Sequence, residues 1–290
     1  MILHLLLGVR KLSNNQVING TRKLLTFLPP LEIKAKGRGR VYVDELGREY
    51  PSVTTILNVI NKPALIPWAK KQSLEKVKYV LQNHVMNGTL PEIKSTDDID
   101  AIINEASKTP DKALQLAGDF GSHAHALIEK VINARMHNDK EPVITADFKV
   151  VMESFEMFCE QYNPVFIGSE LQVCSDRMYY PYAGTVDAVI VHEDNPIVID
   201  FKTGKGIYDE HRLQVGAYSR ALQRLNRRHL NLTGKESPFD MAWVVKLGKE
   251  KADVVVDKVI TLPSYRAFEN TTKLYYELRE KEWLEKNLYL

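Results

Sequence analysis

Gly184-Thr185-Val186-Asp187, followed by Val198-Ile199-Asp200-Phe201-Lys202-Thr203-Gly204, decides how this chain reads. Two apolar runs, Ala183–Val191 and Ile197–Phe201, flank a polar His192–Asn195 that Pro196 closes, which predicts an antiparallel hairpin. With the turn centred near Asp194, Asp187 falls opposite residue 201, give or take one, and so beside Asp200 and Lys202. Residues two apart on a strand share a face, so Asp200 and Lys202 point the same way. Two carboxylates and an ammonium are thereby crowded onto an apolar hairpin, where burial and like-charge repulsion are costly. A divalent cation resolves the crowding, and oxygen ligands suit Mg²⁺ or Mn²⁺. These are the parts needed for metal-assisted phosphodiester hydrolysis, with the lysine orienting or helping to deprotonate a water, because a lysine near a metal and in a shielded site can have a lowered pKa. The plain alternative is an edge hairpin with an ordinary Asp–Lys ion pair. The upstream Asp187 at matched register, the apolar strands and the trailing Thr-Gly weigh against it.

Around the hairpin the pattern is mixed. Val165–Cys174 reads as a preceding strand, Asp209–Arg228 as a helix, Met241–Leu247 and Val254–Leu262 as strands, and Ser264–Asn287 as a closing helix. Upstream, Asp147–Tyr162 is an amphipathic helix with Phe148, Val151, Phe155 and Phe158 on its inner face. A helical stretch runs from about Asp100 to Met136, interrupted near Thr109-Pro110. Residues 87–100 read as a polar loop, Trp68–Gln82 as a helix, and Ile56–Ile60 as a short helix capped by Ser52 or Thr54-Thr55. Val41–Val43 and Glu49-Tyr50 around Gly47 suggest a hairpin, and the basic, Gly-rich Lys34–Arg40 a flexible link. No repeats or low-complexity tracts are present.

The chain has 290 residues, 44% hydrophobic and 26% charged, with a formal net charge of +2, so any DNA-binding charge must be gathered locally. Cys159 and Cys174 form no metal-ligand spacing and cannot hold an iron–sulfur cluster or a four-thiolate zinc site alone; a reducing compartment is the simplest reading. The apolar run Ile2–Leu7 is too short to span a bilayer. The first 31 residues lack Asp and Glu but carry Arg10, Lys11, Arg22 and Lys23, which fits a poorly packed leader or an organellar presequence.

GTVD followed by IDFKTGK resembles the active-site hairpin of the PD-(D/E)xK nuclease superfamily, and DFKTG in particular resembles its RecB-like exonuclease branch. Gly121-Ser122-His123-Ala124-His125 resembles the helix-borne histidine motif of that branch, which implies His125 as a metal ligand. His123 is a nearby competitor, and a structural histidine is the alternative. Gln214 and Tyr218 match its QxxxY signature; they share a helix face and would support the site or touch the DNA backbone, unless the helix is simply amphipathic. Glu170 stands where the family often has a glutamate beside the metal, although an exposed strand glutamate is an equal reading. Tyr50–Leu57 and Lys62–Trp68 are similar to phage-encoded members, and mitochondrial genome-maintenance exonucleases share the same core plan.

The resemblance implies an α/β, restriction-endonuclease-like core, a mixed central sheet flanked by helices, with an N-terminal mostly helical annex. The expected division is a leader and basic segment over 1–40, an annex over 41–110 and the nuclease core over 111–290. The expected activity is an Mg²⁺- or Mn²⁺-dependent deoxyribonuclease, an exonuclease preferring single strands or free ends, in DNA recombination, repair or degradation. Asp187, Asp200 and Lys202 are its expected catalytic residues, and His125, Glu170, Asp187 and Asp200 its metal ligands. A structure-specific endonuclease, or a non-catalytic DNA-binding protein on the same fold, is the alternative. Lys205 and Thr203 are expected near DNA, with Lys34–Arg40, Lys70-Lys71, Arg224 and Arg227-Arg228 as other basic candidates, and Trp68, Tyr179, Tyr180 and Tyr182 as stacking candidates. No iron–sulfur cluster and no membrane are expected. A helicase or recombination partner is conceivable, since no nucleotide-binding P-loop is present. The expected location is the cytoplasm, a host's if phage-encoded, with mitochondria the alternative.

Overall fold

The computed structural model describes residues 14–36, 39–60, 62–86, 95–176, 180–229, 231–235 and 237–288. The leader run Ile2–Leu7, with Arg10 and Lys11, lies outside them, as do Gly37-Arg38 and Tyr179. Helix α1 (Asn14–Leu25) opens the description, followed by strands β1 (Glu32–Lys36), β2 (Gly39–Val43) and β3 (Glu49–Pro51) and helix α2 (Val53–Leu57). Helices α3 (Leu65–Met86), α4 (Thr96–Ser107), α5 (Thr109–His137) and α6 (Lys149–Tyr162) come next. Strands β4 (Val165–Ser175), β5 (Tyr182–His192) and β6 (Asn195–Lys202), helix α7 (Asp209–Arg228), strands β7 (Met241–Leu247) and β8 (Val254–Ile260), and helix α8 (Thr261–Leu288) complete it. Contacts divide the chain into two compact units, residues 1–60 with 124–290, and residues 61–123.

The larger unit is built on a five-stranded sheet in the order β4-β5-β6-β7-β8. It is mixed: β6 and β7 are parallel, joined through α7, and the other neighbours are antiparallel. Strand β6 lies inside the sheet and Pro196 to Phe201 are all buried, the continuous burial expected of a strand covered on both faces. On one face, Phe155 and Phe158 of α6 meet Phe201 and Trp243 edge-on at ring distances of 5.7 and 6.3 Å. On the other, Val215, Ala217, Tyr218 and Leu222 of α7 join Val198 and Val244 in a core that α8 extends with Tyr265 and Phe268. Each such buried side chain stabilises the fold by roughly 1.5–3 kcal/mol. This is the mixed α/β architecture, a central sheet flanked by helices, that the hairpin's resemblance implied.

The hairpin turn is a two-residue one. Glu193 and Asp194 both take positive φ (48° and 60°), as a primed turn requires. A smaller antiparallel sheet, β1-β2-β3, is tied to β5 by a bridge between Ser52 and Ala183 and by a 2.9 Å hydrogen bond between the Tyr42 and Thr185 hydroxyls. Three local readings change. Lys34–Lys36 and Gly39-Arg40, read as a flexible link, pair as β1 and β2. A charged strand lacks the apolar run that marks one, and its partner supplies the order instead. Residues 14–25, within the leader, form a helix whose Val17 and Leu24 are fully buried. Of the polar loop read over 87–100, residues 87–94 lie outside the described residues and 96–100 belong to α4, whose first turn is capped by Asp98 accepting a hydrogen bond from the Ser95 N–H at 3.0 Å.

In the smaller unit, α3 starts two residues before Pro67, which a first helical turn tolerates. Lys76 and Glu105 form an ion pair of 3.2 Å between α3 and α4.

Candidate active site

Strands β5 and β6 pair from His192↔Asn195 to Ala188↔Ile199, and continuing that register sets Asp187 across from Asp200, one position from the centre of the expected window. The ladder ends there. The Phe201 N–H, beyond the last β5 pairing, donates to Asp187 Oδ2 at 2.7 Å. The opening of the hairpin thus gives the carboxylate both room and a fixed orientation.

Beside it, β4 pairs Ser169↔Ala188 and Leu171↔Val186, with Glu170 between them. Glu170 has φ 48°, in the left-handed region, which costs a residue with a Cβ roughly 1–2 kcal/mol. Strain of this kind is held by surrounding structure and marks positions worth a functional explanation. Helix α5 supplies the third group. Ala124, Ile128, Val131 and Ile132 form its buried face, and His125 lies at the edge of that face with its side chain 26% exposed.

His125, Glu170 and Asp187 each present a ligand atom within 4.8 Å of the others. His125 Nδ1 is 3.3 Å from Asp187 Oδ2. His123, the competitor, is exposed, and its Nδ1 is 2.9 Å from the Asp119 carbonyl oxygen one turn back. Asp200 is 1% exposed, and neither of its carboxylate oxygens has a partner in hydrogen-bonding geometry. Lys202 Nζ is 2.7 Å from Asp200 Oδ2 but approaches off-axis, and it donates to Gln214 Oε1 at 3.3 Å. Gln214 Nε2 in turn donates to the Tyr218 hydroxyl at 3.0 Å. Tyr218 lies against Gly184, where a Cβ would come within 2.4 Å of its ring. That contact accounts for glycine in GTVD: the strand must let the helix tyrosine approach.

Protonation follows from this crowding. Burial pushes the Asp200 carboxyl up to about 6, with Lys202 opposing and Asp187 adding to the rise. Burial, then the charges of Asp187 and Glu129, push Glu170 up to about 7. Burial would raise Asp187 too, but His125, Lys202 and the Phe201 N–H outweigh it and hold it below the ordinary carboxylate range. Burial would lower His125 and Lys202, yet neighbouring carboxylates hold both above their ordinary values, Asp187 acting on His125 and Asp200 with Asp187 acting on Lys202. With only protons and side chains to compensate the carboxylates, the lysine is held as an ammonium, because its two acidic neighbours outweigh desolvation.

This donor set fits a divalent cation. Two carboxylates and one imidazole, those of Glu170, Asp187 and His125, are gathered; Asp200, expected as a further ligand, is buried beside them against Lys202 and falls outside that group, and Glu170 and Asp200 stay partly protonated near neutrality when only protons compensate them. An imidazole among oxygen donors suits Mn²⁺ better than Mg²⁺.

Of the other sequence candidates, Thr203 is buried at the end of β6, and Lys205 is exposed just beyond it. Tyr182, a stacking candidate, is instead core, with its hydroxyl donating to the Ala217 carbonyl at 3.0 Å. Its place at the first residue of β5, rather than in the preceding loop, buries it. Tyr180 contacts Tyr276 at 5.9 Å, and Trp68 is half-buried. Arg224 and Arg228 are engaged with Ser175 and Asp176. The Phe201 N–H and the Tyr42–Thr185 bond were not foreseen. A backbone donor and a contact 143 residues apart leave no local sequence signal.

No protein-family profile and no curated protein matches this chain. Among solved structures it is similar to the crystal structure of SSO0001, at 16% identity over 43% of this chain and 56% of that one, with a TM-score of 0.27. The chain thus spans little more than half the length of that protein. It is also similar to an alkaline exonuclease, LHK-Exo, from Laribacter hongkongensis, at 10% identity over 57% of this chain and 84% of that one, with a TM-score of 0.29. At these TM-scores neither likeness bears on function. Among the described residues no helix is long and apolar enough to cross a membrane.

Proposed function

We propose that this protein is a metal-dependent deoxyribonuclease of the PD-(D/E)xK type, acting as an exonuclease on linear DNA with single-stranded or free ends. The observation that carries the reading is the convergence of His125, Glu170 and Asp187 within 4.8 Å, on the same hairpin as a buried Asp200 ion-paired with Lys202. Asp187, Glu170, His125 and Asp200 would hold Mg²⁺ or Mn²⁺. When bound, such a cation supplies Lewis-acid chemistry at a phosphate oxygen and acidifies water.

The chain's own groups perform the rest. Lys202, beside Asp200 at the end of β6, would orient a water or a phosphate oxygen. Gln214 fixes the ammonium from the side, and Tyr218 fixes Gln214. The Phe201 N–H keeps one Asp187 oxygen turned into the site. Both positioning groups are buried, so the lysine's geometry is set before substrate arrives. Lys205, exposed just beyond the strand, would meet the DNA backbone, while Thr203 is buried beside it. The exonuclease mode, the single-strand preference and any role in recombination or repair, with a helicase or other partner, rest on the RecB-like form of the DFKTG and QxxxY motifs.

The test uses end-labelled linear DNA, single-stranded and duplex, beside circular single strands, with Mg²⁺, Mn²⁺ or EDTA. The expected result is metal-dependent loss of the linear substrates, intact circles, and no cleavage by Asp200→Ala. Cut circles would assign the endonuclease mode instead. Metal-independent DNA binding without cleavage would leave a non-catalytic DNA-binding protein.

A further inference from the structure

Beyond the end of β6 the chain borders a second feature. Thr203, Gly204 and Lys205 form one wall of an open groove of about 530 Å³, and the turn between β7 and β8, residues 248–252, forms the other. That volume lies in the range of ligand-binding pockets. Four lysines line it, Lys205, Lys246, Lys249 and Lys251, against two carboxylates, Glu250 and Asp253. Strand register ties it to the site, since Lys246 on β7 pairs directly with Lys202 on β6.

The turn is held firmly. The Gly248 N–H donates to the Asp253 carbonyl at 2.8 Å, and Ser154 of α6 donates to the Gly248 carbonyl at 3.0 Å while accepting from the Asp253 N–H at 3.1 Å. A Cβ at Gly248 would come within 2.1 Å of the Lys251 carbonyl oxygen, so only glycine permits this closure. Lys246 is partly buried and paired with Asp253 at 3.3 Å, and Lys249 is engaged in an interaction of its own, so the exposed cations that remain are Lys205 on one wall and Lys251 on the other. Two ammonium groups from the two walls of a groove that starts one residue beyond Lys202, one of them on a firmly held turn, suit an anion with two accessible oxygens.

We infer that this groove binds a backbone phosphate of the nucleic-acid strand flanking the cleavage site, with Lys205 and Lys251 as its two contacts. The inference rests on the nuclease reading and specifies where the strand runs past the site: along the ends of β6 and β7, over the β7–β8 turn. Such contacts set register and orientation without reading sequence. They also enforce salt dependence, about 0.7 in the slope of log K against log salt for each phosphate contact on a single strand.

The experiment measures binding of a fluorescein-labelled oligothymidylate by anisotropy across a salt series in EDTA, where no cleavage occurs. The proteins are the wild type, Lys205→Gln/Lys251→Gln, each single variant, and Lys273→Gln on the exposed side of α8 as control. With the one phosphate contact gone, the double variant is expected to lose about 0.7 from the slope, each single variant a smaller part of that, and the control nothing. The single variants carry the test if the double variant folds poorly. A double variant that keeps the wild-type slope overturns the groove assignment, while cleavage by the wild type would show that the nuclease reading survives. A wild type that neither binds oligothymidylate nor cleaves DNA overturns both.

Discussion

Replacing Glu170 by Gln should make the metal-free protein more stable and the metal-loaded protein weaker. The Glu170 carboxyl is lifted from 4.5 to about 7 by burial and by the charges of Asp187 and Glu129. A carboxyl with a raised folded-state pKa binds its proton more tightly in the folded chain. Its contribution to stability is therefore complete below 4.5 and is lost as pH rises through about 7. At about 1.4 kcal/mol per pH unit, the rise corresponds to roughly 3 kcal/mol, and partial solvent contact trims that to about 2 kcal/mol. Glutamine keeps the shape and the strained backbone of Glu170, so the comparison isolates charge. In EDTA near pH 8, urea unfolding followed by tryptophan fluorescence should show Glu170→Gln more stable than wild type by about 2 kcal/mol, with the gap closing near pH 4. Saturating Mn²⁺ should reverse the order, since a ligand at about a hundred times its Kd adds about 2.7 kcal/mol to the form that binds it. A Gln variant less stable than wild type in EDTA near pH 8, or equal Mn²⁺ stabilisation of both proteins, would refute the crowding argument.

Other consequences follow from the same contacts. Mn²⁺ affinity measured by calorimetry should rise with pH through about 7 and then level, because binding needs Glu170 ionised and His125 neutral, and both are shifted upward; a pH-independent affinity would contradict this. Gly184→Ala should destabilise the fold by about 1–3 kcal/mol, because the new Cβ meets the buried Tyr218 ring, and a neutral variant in chemical denaturation would show that the helix can yield. Tyr218→Phe should lower kcat several-fold with little change in KM, reflecting the loss of about 0.5–1.5 kcal/mol from the bond that orients Gln214 and Lys202. A change confined to KM would assign Tyr218 to substrate binding instead.

The hairpin was legible because its information is local. Apolar strands around a polar turn fix the pairing, the pairing fixes the register to within one residue, and the register brings Asp187 to Asp200. The helix period likewise placed Gln214 and Tyr218 on one face, and Tyr218 now accounts for Gly184. Glu170 was undecided in the sequence because a glutamate on a half-exposed strand looks ordinary; its left-handed backbone and its approach to His125 exist only once β4 has paired. The shielding of Lys202 was visible in the apolar run, but the balance between desolvation and two carboxylates depends on distances that only the fold sets. Lys34–Lys36 lacked the apolar signature of a strand and were ordered by their partner, β2. The Ser154 clamp joins residues nearly a hundred positions apart and had no signature at all.

The central claim is that one cation site made by His125, Glu170, Asp187 and Asp200 drives phosphodiester hydrolysis. The direct measurement titrates Mn²⁺ into wild type and Asp187→Ala, following free Mn²⁺ by electron paramagnetic resonance and DNA cleavage in the same samples. The account predicts that wild-type cleavage rises in step with bound Mn²⁺ and that Asp187→Ala neither binds the ion tightly nor cleaves. Cleavage by Asp187→Ala at the wild-type rate, or wild-type cleavage that persists in EDTA, would contradict it.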